Sequence, residues 1–425
     1  QGNINIKKIT SISLSLVAAS SLMASDSLSS ALKESSVSGQ IRSFYINRDH
    51  AGIVESARDG LAIGGHVKVT TGTVNGLSAT VALYTSNAVD SNNLFEDDYA
   101  KTLFGEGGDS YSILGEANLK YVRDDFDITT GKMKLNTPLV GADDARMVPN
   151  LFQGTVAHYK GIKNTVLAAA HVTAIADGSF SNAYGGDAEL AITSGYGMDT
   201  GSTGKFVNMG SHALGTGNDT DGVSAVAVIY TGIANTKVQV WDYKAHDILN
   251  AVYAQVDTKV GNISLSAQYL GESEIGSELA GNVDANYYGV KAGTSFGNTK
   301  AYVAYSTTGD DANGKVITTW GGIPAFTQGM VTRHMFQADV DATKVVAVHN
   351  LKDQGMPATL AVYHAKFDMG ANNGYSANNT AKETGFDFKY NVEKNFQLRL
   401  RANYARDFKA GLDWDEYRVI ANYSF

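Results

Sequence analysis

The sequence predicts an all-β protein: a closed, transmembrane, antiparallel β-barrel of about 18 strands, with one connection folded inward as a constriction loop. Three features lead there. Side-chain polarity alternates with period two in runs of roughly ten residues, as in tilted membrane-spanning strands. Short and long connections take turns between the runs. Only 4 of 425 residues are proline while 45 are glycine, which suits strands whose ladders need every backbone N–H. Cysteine is absent, so disulfides, thiolate metal sites and thiol catalysis are excluded. At 18% charged residues and a mean hydropathy of -0.15 the chain is too polar for a helical membrane protein, and with 22 tyrosines it is too aromatic for a disordered one. A net charge of -9 without a Lys/Arg-rich block argues against a nucleic-acid partner.

From the N-terminus, Lys7-Lys8, the apolar stretch Ile9 to Leu22 and Met23-Ala24-Ser25-Asp26 read as the n-region, h-region and cleavage zone of a signal peptide. The expected cut follows Ala24, leaving 25–425 as a single barrel domain of an exported protein. Ser11, Ser13, Ser15 and Ser20 dilute the stretch, which leaves a surface helix as the other reading. Beyond it, no run offers the roughly 18 continuous apolar residues of a spanning helix.

Alternating runs follow at Leu77–Leu83, Leu119–Tyr121, Val166–Val172, Ile263–Tyr269, Ala301–Tyr305 and Phe386–Tyr390. The clearest sets Phe396, Leu398, Leu400, Ala402 and Tyr404 against Gln397, Arg399, Arg401 and Asn403. The last puts Tyr417, Val419, Ala421, Tyr423 and Phe425 outward and Glu416, Arg418, Asn422 and Ser424 inward. Long connections are expected near 49–60, 86–112, 136–150, 177–222, 271–284, 308–333 and 369–381. Short ones are expected near 72–76, 123–125, 161–164, 232–235, 259–262, 297–299, 352–357 and 391–395. Counting every run separately gives nineteen strands, a parity that makes 369–381 a periplasmic turn. Joining His334–Asp339 to Lys344–Leu351 as one strand restores the alternation and gives eighteen, although 245–247 stays short for an external loop. Closure is required because an open edge in lipid leaves backbone groups unsatisfied at several kcal/mol each. A soluble sandwich or solenoid would need a second layer and linkers, and no Pro/Ser-rich linker or exact repeat is found. Phe425, preceded by apolar residues at every second position, resembles the C-terminal signal read by the outer-membrane assembly machinery.

One connection is unlike a surface loop. Residues 137–149 read TPLVGADDARMVP, hold two of the four prolines, and precede Asn150-Leu151-Phe152-Gln153-Gly154. With the barrel pattern, this resembles the OprD-type porin family and its relatives among major outer-membrane porins, where a similar stretch forms a loop folded into the barrel. The resemblance implies eighteen strands, passive uptake of small carboxylates, amino acids and ions, and often a trimer. A bore of that size needs narrowing before it can select. In this loop Asp143 and Asp144 would supply fixed negative charge, Arg146 would pair with one of them or reach the wall, and Pro138 and Pro149 would stiffen the ends. An ordinary Asx-turn with solvated carboxylates is the plainer reading. A calcium site is disfavoured, since the adjacent carboxylates lack the EF-hand spacing.

Opposite the loop, the register puts Lys389, Arg399, Arg401 and Arg418 on the inner faces of three consecutive strands, and Lys120 beside Glu116 and Asn118 also fits the lumen. The family is known for a comparable basic ladder. Such a wall facing an acidic loop would orient dipolar solutes; alternatively the arginines pair with Asp387 and Glu416 and brace the wall. Arg42, with His66 and Lys68, is harder to place, because Phe44 and Ile46 contradict the alternation of the first strand.

No H-E-x-x-H, G-x-S-x-G or Walker pattern occurs, so neither an enzyme nor a cofactor is expected; a lipase-like role for His171 has no specific support. The functional expectation is an outer-membrane porin in contact with lipid and with small charged solutes. A surface adhesin or antigen built on the long loops is the alternative.

Overall fold

The computed structural model describes residues 27–89, 100–178 and 204–425, so the expected signal peptide at 1–24 lies outside the described residues. Short helix Leu28–Lys33 leads into nineteen strands. They are β1 (Ser36–Gly52), β2 (Ser56–Thr70), β3 (Leu77–Ala88), β4 (Tyr111–Arg123), β5 (Phe126–Met133), β6 (Leu151–Tyr159), β7 (Thr165–Ala176), β8 (Val207–Asn208), β9 (Val223–Tyr230) and β10 (Thr236–Ala245). The rest are β11 (Leu249–Val260), β12 (Ile263–Glu274), β13 (Asp284–Phe296), β14 (Thr299–Thr308), β15 (Val340–Asn350), β16 (Ala358–Met369), β17 (Thr380–Asn391), β18 (Phe396–Lys409) and β19 (Leu412–Ser424). Two-residue β8 only lies along the end of β7. The other eighteen pair antiparallel in chain order, β7 with β9 across the gap, and β1 pairs with both β2 and β19, which closes the barrel. Beyond β19, Phe425 exchanges backbone bonds with Gly39 at 3.0 and 3.1 Å.

One end carries tight turns. Asn75, Asp124, Asn164 and Asn235 adopt φ of 48°, 50°, 59° and 57° there, a left-handed geometry that Asn and Asp accept more readily than other side chains. The other end carries the connections 89–110, 134–150, 177–222 and 309–339. Two expectations are corrected. The 49–60 connection shrinks to three residues, because β1 and β2 stay paired as far as His50 and Ser56; the strands run on past the apolar belt, where polar residues had suggested a loop. His334–Asp339 is no strand. His334–Phe336 is a 3₁₀ turn whose His334 Nε2 bonds the Phe408 carbonyl at 2.7 Å, and residues 309–339 form one connection. Strand parity is unaffected.

Outward positions are aliphatic, with Val81, Leu83, Val226, Val290, Val303 and Val419 exposed. Exposed aromatics sit toward both rims: Phe126, Tyr159, Tyr230, Phe296 and Tyr423 at the tight-turn end, and Tyr288, Tyr305 and Tyr417 toward the other. Aromatic girdles around an apolar band mark a barrel in lipid. Inward positions are not uniformly polar. Val172, Ala225, Trp241, Tyr243, Ala251 and Leu270 pack with Leu139, Val140, Val316 and Trp320 of two long connections and with Met209 of the short helix Met209–Leu214.

Candidate functional site

The 134–150 connection is shaped locally before it meets the wall. Thr137 Oγ1 accepts from the Val140 N–H at 3.1 Å and donates to its carbonyl at 2.9 Å, tying a turn around Pro138. Asn150 spans the loop base, donating to Gly141 O at 3.0 Å and accepting from Gly178 N at 2.8 Å. Gly141 N donates to Trp320 O at 3.0 Å, which joins this loop to the 309–339 connection. The approach is close: a Cβ on Gly322 would stand 2.1 Å from the Pro138 carbonyl oxygen. Pro149 is buried at the far end, and its neighbours Met147 and Val148 pack on Phe44 and Ile46.

The loop's charged residues each find a counter-charge. Asp143, at φ 33°, sits 3.2 Å from Arg333 Nη1 of the 309–339 connection. Asp144 lies 2.9 Å from Arg42 and 3.1 Å from Lys134. Burial pushes the Asp144 carboxyl up, but Arg42 and Lys134 outweigh it and hold the group down at about 2. Arg146 is fully buried and reaches the wall, with Nη2 3.6 Å from Glu416 and its guanidinium 5.8 Å from the Phe44 ring centroid. Arg42 also donates to the Arg146 carbonyl oxygen. The sequence reading left Arg42 unassigned because Phe44 and Ile46 broke the pattern. Both point inward with Arg42 and are 1% and 0% exposed, since the folded-in loop covers them.

On the facing strands, Glu416 bonds Arg48 at 2.8 Å and Arg418 more closely. Asp387 gathers Arg399, through an Nε–Oδ1 bond of 2.7 Å, together with Arg401 and Lys389 at 3.8 Å each. With Arg146, Arg42 and Lys134 included, eight cations among the described residues share the three carboxylates Glu416, Asp387 and Asp144. Lys120 is half-buried on the face of Glu116 near the tight-turn end and outside these clusters; Glu116 itself takes Lys68 at 2.8 Å and Tyr84 Oη at 2.7 Å.

Sequence reasoning missed the 309–339 connection as part of the interior. Two wall carboxylates hold its backbone: Glu272 accepts from Ile317 N at 2.7 Å, and Glu383 accepts from Met330 N at 2.6 Å, Thr332 N at 2.7 Å and the Tyr363 hydroxyl. An isolated Glu in a polar-looking strand gives no sign of such a role. Beneath the connection lies a cavity of about 540 Å³ lined by Lys291 and Lys344, which were not expected either.

The family model for outer membrane porins of the OprD family matches residues 31–425. The chain belongs to the OprD family. It is an outer-membrane porin, a water-filled channel for passive diffusion of small charged solutes. No curated protein matches the chain in sequence. Among solved structures, Pseudomonas aeruginosa OccK1 (OpdK) is 18% identical with a TM-score of 0.73, covering 93% of this chain and 99% of its own. OccK9 (OpdG) of the same organism is 20% identical with a TM-score of 0.75 at the same coverages. Its OccK2 (OpdF), solved in complex with glucuronate, is 15% identical with a TM-score of 0.72, covering 93% and 98%. All three share the eighteen-strand OprD-family fold.

Proposed function

We propose that this porin prefers small organic anions and that the 134–150 loop forms its constriction. One observation carries the reading: among the described residues, eight cations of the loop and of β1, β17, β18 and β19 share three carboxylates. Pairing braces the wall, yet the surplus charge remains positive, and rings of like charge in a pore favour the opposite ion. Asp143 and Asp144, expected to set fixed negative charge at the narrowest level, pair with Arg333, Arg42 and Lys134, which lowers their share of the local field. Pore lining by Lys389, Arg399, Arg401, Arg418 and Lys120 belongs to the same proposal. The glucuronate complex of OccK2 and a vanillate complex of OpdK are consistent with anionic solutes.

Reversal potentials in planar bilayers under a KCl gradient test this. Arg401→Gln should lower the anion-to-cation permeability ratio and Asp387→Asn should raise it, each by about five-fold, the factor for about 1 kcal/mol from one unit charge in a water-like medium. Cation preference in the wild type would overturn the reading.

Three further features complete the proposal: residues 1–24 as the export signal, insertion by the outer-membrane assembly machinery through the Phe425 strand, and a homotrimer. We read no enzyme in the fold. His171 and Ser224 share a 2.9 Å hydrogen bond on the outward face, and the same hydroxyl contacts His246 at 3.0 Å; among the described residues no carboxylate lies at ion-pair distance from either imidazole.

A further inference from the structure

The outer surface of the barrel carries a charged row of its own. On β16, β17 and β18, Lys366, Lys382 and Arg406 occupy outward positions, alternating with the buried Ala365, Phe367, Ala381, Glu383 and Ala405. They sit at the end of the long connections, which in such barrels faces the outside of the cell. Lys366 is the cross-strand partner of Lys382, and Lys382 that of Arg406. Neighbouring strands stand about 4.8 Å apart, and like charges placed directly opposite destabilise a sheet. Carboxylates meet only the two ends of the row. Asp368 lies 2.7 Å from Lys366 and also accepts from Thr380 Oγ1 at 2.8 Å. Asp415 lies 2.5 Å from Arg406, with Asp413 at 3.7 Å. Lys382, exposed at the centre, has no carboxylate at ion-pair distance among the described residues. Toward the middle of the membrane the same strands turn apolar by steps. The next outward row is His364, Thr384 and Tyr404, with His364 Nδ1 2.8 Å from Thr384 Oγ1. Val362 and Phe386 follow, and then Leu360, Phe388 and Leu400.

We propose that Lys366, Lys382 and Arg406 form a docking site for a phosphate of an outer-leaflet glycolipid, the lipid A of lipopolysaccharide, whose acyl chains lie along Val362, Phe386 and Leu400. An amphiphile with hydrocarbon below and an anion above matches the wall row by row. The phosphate supplies the counter-charge that the centre of the row lacks. Lys382 donates to it directly, and Lys366 and Arg406 add the N–H groups that their aspartates leave free, each a charge-assisted hydrogen bond. The row ends where the sign of the surface changes. On β19 and β1 the outward positions at this end are Asp413, Asp415 and Asp49, the last two cross-strand partners, and that sector repels the same headgroup. Because the site lies outside the bore, it adds a partner without resting on the ion preference of the channel.

The test titrates the refolded full-length protein, in detergent with EDTA, with purified lipid A and reads the bound lipid by native mass spectrometry. The wild type is expected to retain lipid A and to release it when the lipid is dephosphorylated. Lys382→Gln should weaken binding about ten-fold, the loss expected for one charge-assisted hydrogen bond, and Lys382→Arg should retain it. Gln at all three positions should abolish the dependence on phosphate. Lys244→Gln, which removes an exposed lysine at the same end of β10, should leave the affinity unchanged. Inorganic phosphate at equal concentration should not compete, and competition by it would assign the row to free phosphate and overturn the lipid site. Equal binding of dephosphorylated lipid, wild-type affinity in the triple variant, or an equal loss in Lys244→Gln would overturn it as well. Every variant should keep the wild-type KCl reversal potential, which shows that the barrel is folded and scores the channel separately. A wild type that conducts yet binds no lipid A overturns the docking site alone.

Discussion

Two walls of this barrel obey the same alternation and end with opposite chemistry. On β17, β18, β19 and β1, inward positions carry Lys389, Arg399, Arg401, Arg418, Glu416 and Arg48, and the side chains satisfy one another through ion pairs. On β7 and β9–β12, inward positions carry Val172, Ala225, Trp241, Tyr243 and Leu270, satisfied by packing on the two folded-in connections. Each inner face answers to its immediate neighbour, counter-charges from facing strands and loop on one side of the bore and apolar loop residues on the other. An inward residue of a porin is thus not polar by rule; it is charged where a counter-charge meets it and apolar where apolar loop residues pack on it.

The charged wall breaks most severely at its central carboxylate. Glu416→Gln strips the counter-charge from Arg48, Arg146 and Arg418, and removing one member of a buried ion cluster costs about 3–5 kcal/mol. Guanidinium unfolding of the refolded barrel should show the loss, and an unchanged midpoint would mean that solvent already screens these arginines. The apolar wall should break differently. Trp320→Ala, at a position 2% exposed, removes packing worth about 3 kcal/mol, but the damage falls on the 309–339 connection. Faster proteolytic nicking within 309–339 with an unmoved barrel midpoint is the expected pattern; a fall in the midpoint would show that the loop packing supports the strands themselves.

Where the two walls meet, Glu383→Gln tests the anchor of the same connection. Gln keeps one acceptor oxygen and places its N–H₂ against the backbone N–H of either Met330 or Thr332, which costs about 1–3 kcal/mol. Amide exchange at Met330–Thr332 should accelerate, and exchange at wild-type rates would show that the carboxylate is dispensable there. Acid titration should give the smallest effect. The Asp144 carboxyl, held at about 2 by Arg42 and Lys134 against burial, titrates below its ordinary value near 3.8. Its tether therefore holds fully above about pH 4 and is lost as pH falls toward 2. Single-channel current noise should rise only in that window, and a rise centred near neutral pH would assign the effect to another group.

Strands and their number were legible because lipid imposes period two wherever a strand faces it. Leu398, Leu400, Val419 and Tyr423 lie on the outer surface as the pattern required. Legibility failed where both faces are apolar. In Val166–Val172 the alternation does not say which side meets lipid, and the inward Val172 and Ala168 are as aliphatic as the outward Leu167. It failed again at Phe44 and Ile46, whose burial by the folded-in loop disguised the inward direction of Arg42. The 309–339 connection was read as external because its length is all that a linear chain reveals about it.

What the amino-acid order determined by itself was local and periodic: alternating faces, Asn and Asp at tight turns, a Pro-bracketed loop, strand parity. These follow from backbone geometry and from the cost of unsatisfied polar groups in lipid, which act on each residue with its nearest neighbours. Only the tertiary structure decided which charges meet. Arg42 and Asp144 are 102 positions apart, and Arg333 and Asp143 are 190 apart. Such pairs exist because closing the barrel brings distant strands to one bore and folds two long connections into it, an outcome of three-dimensional packing that no window of sequence contains.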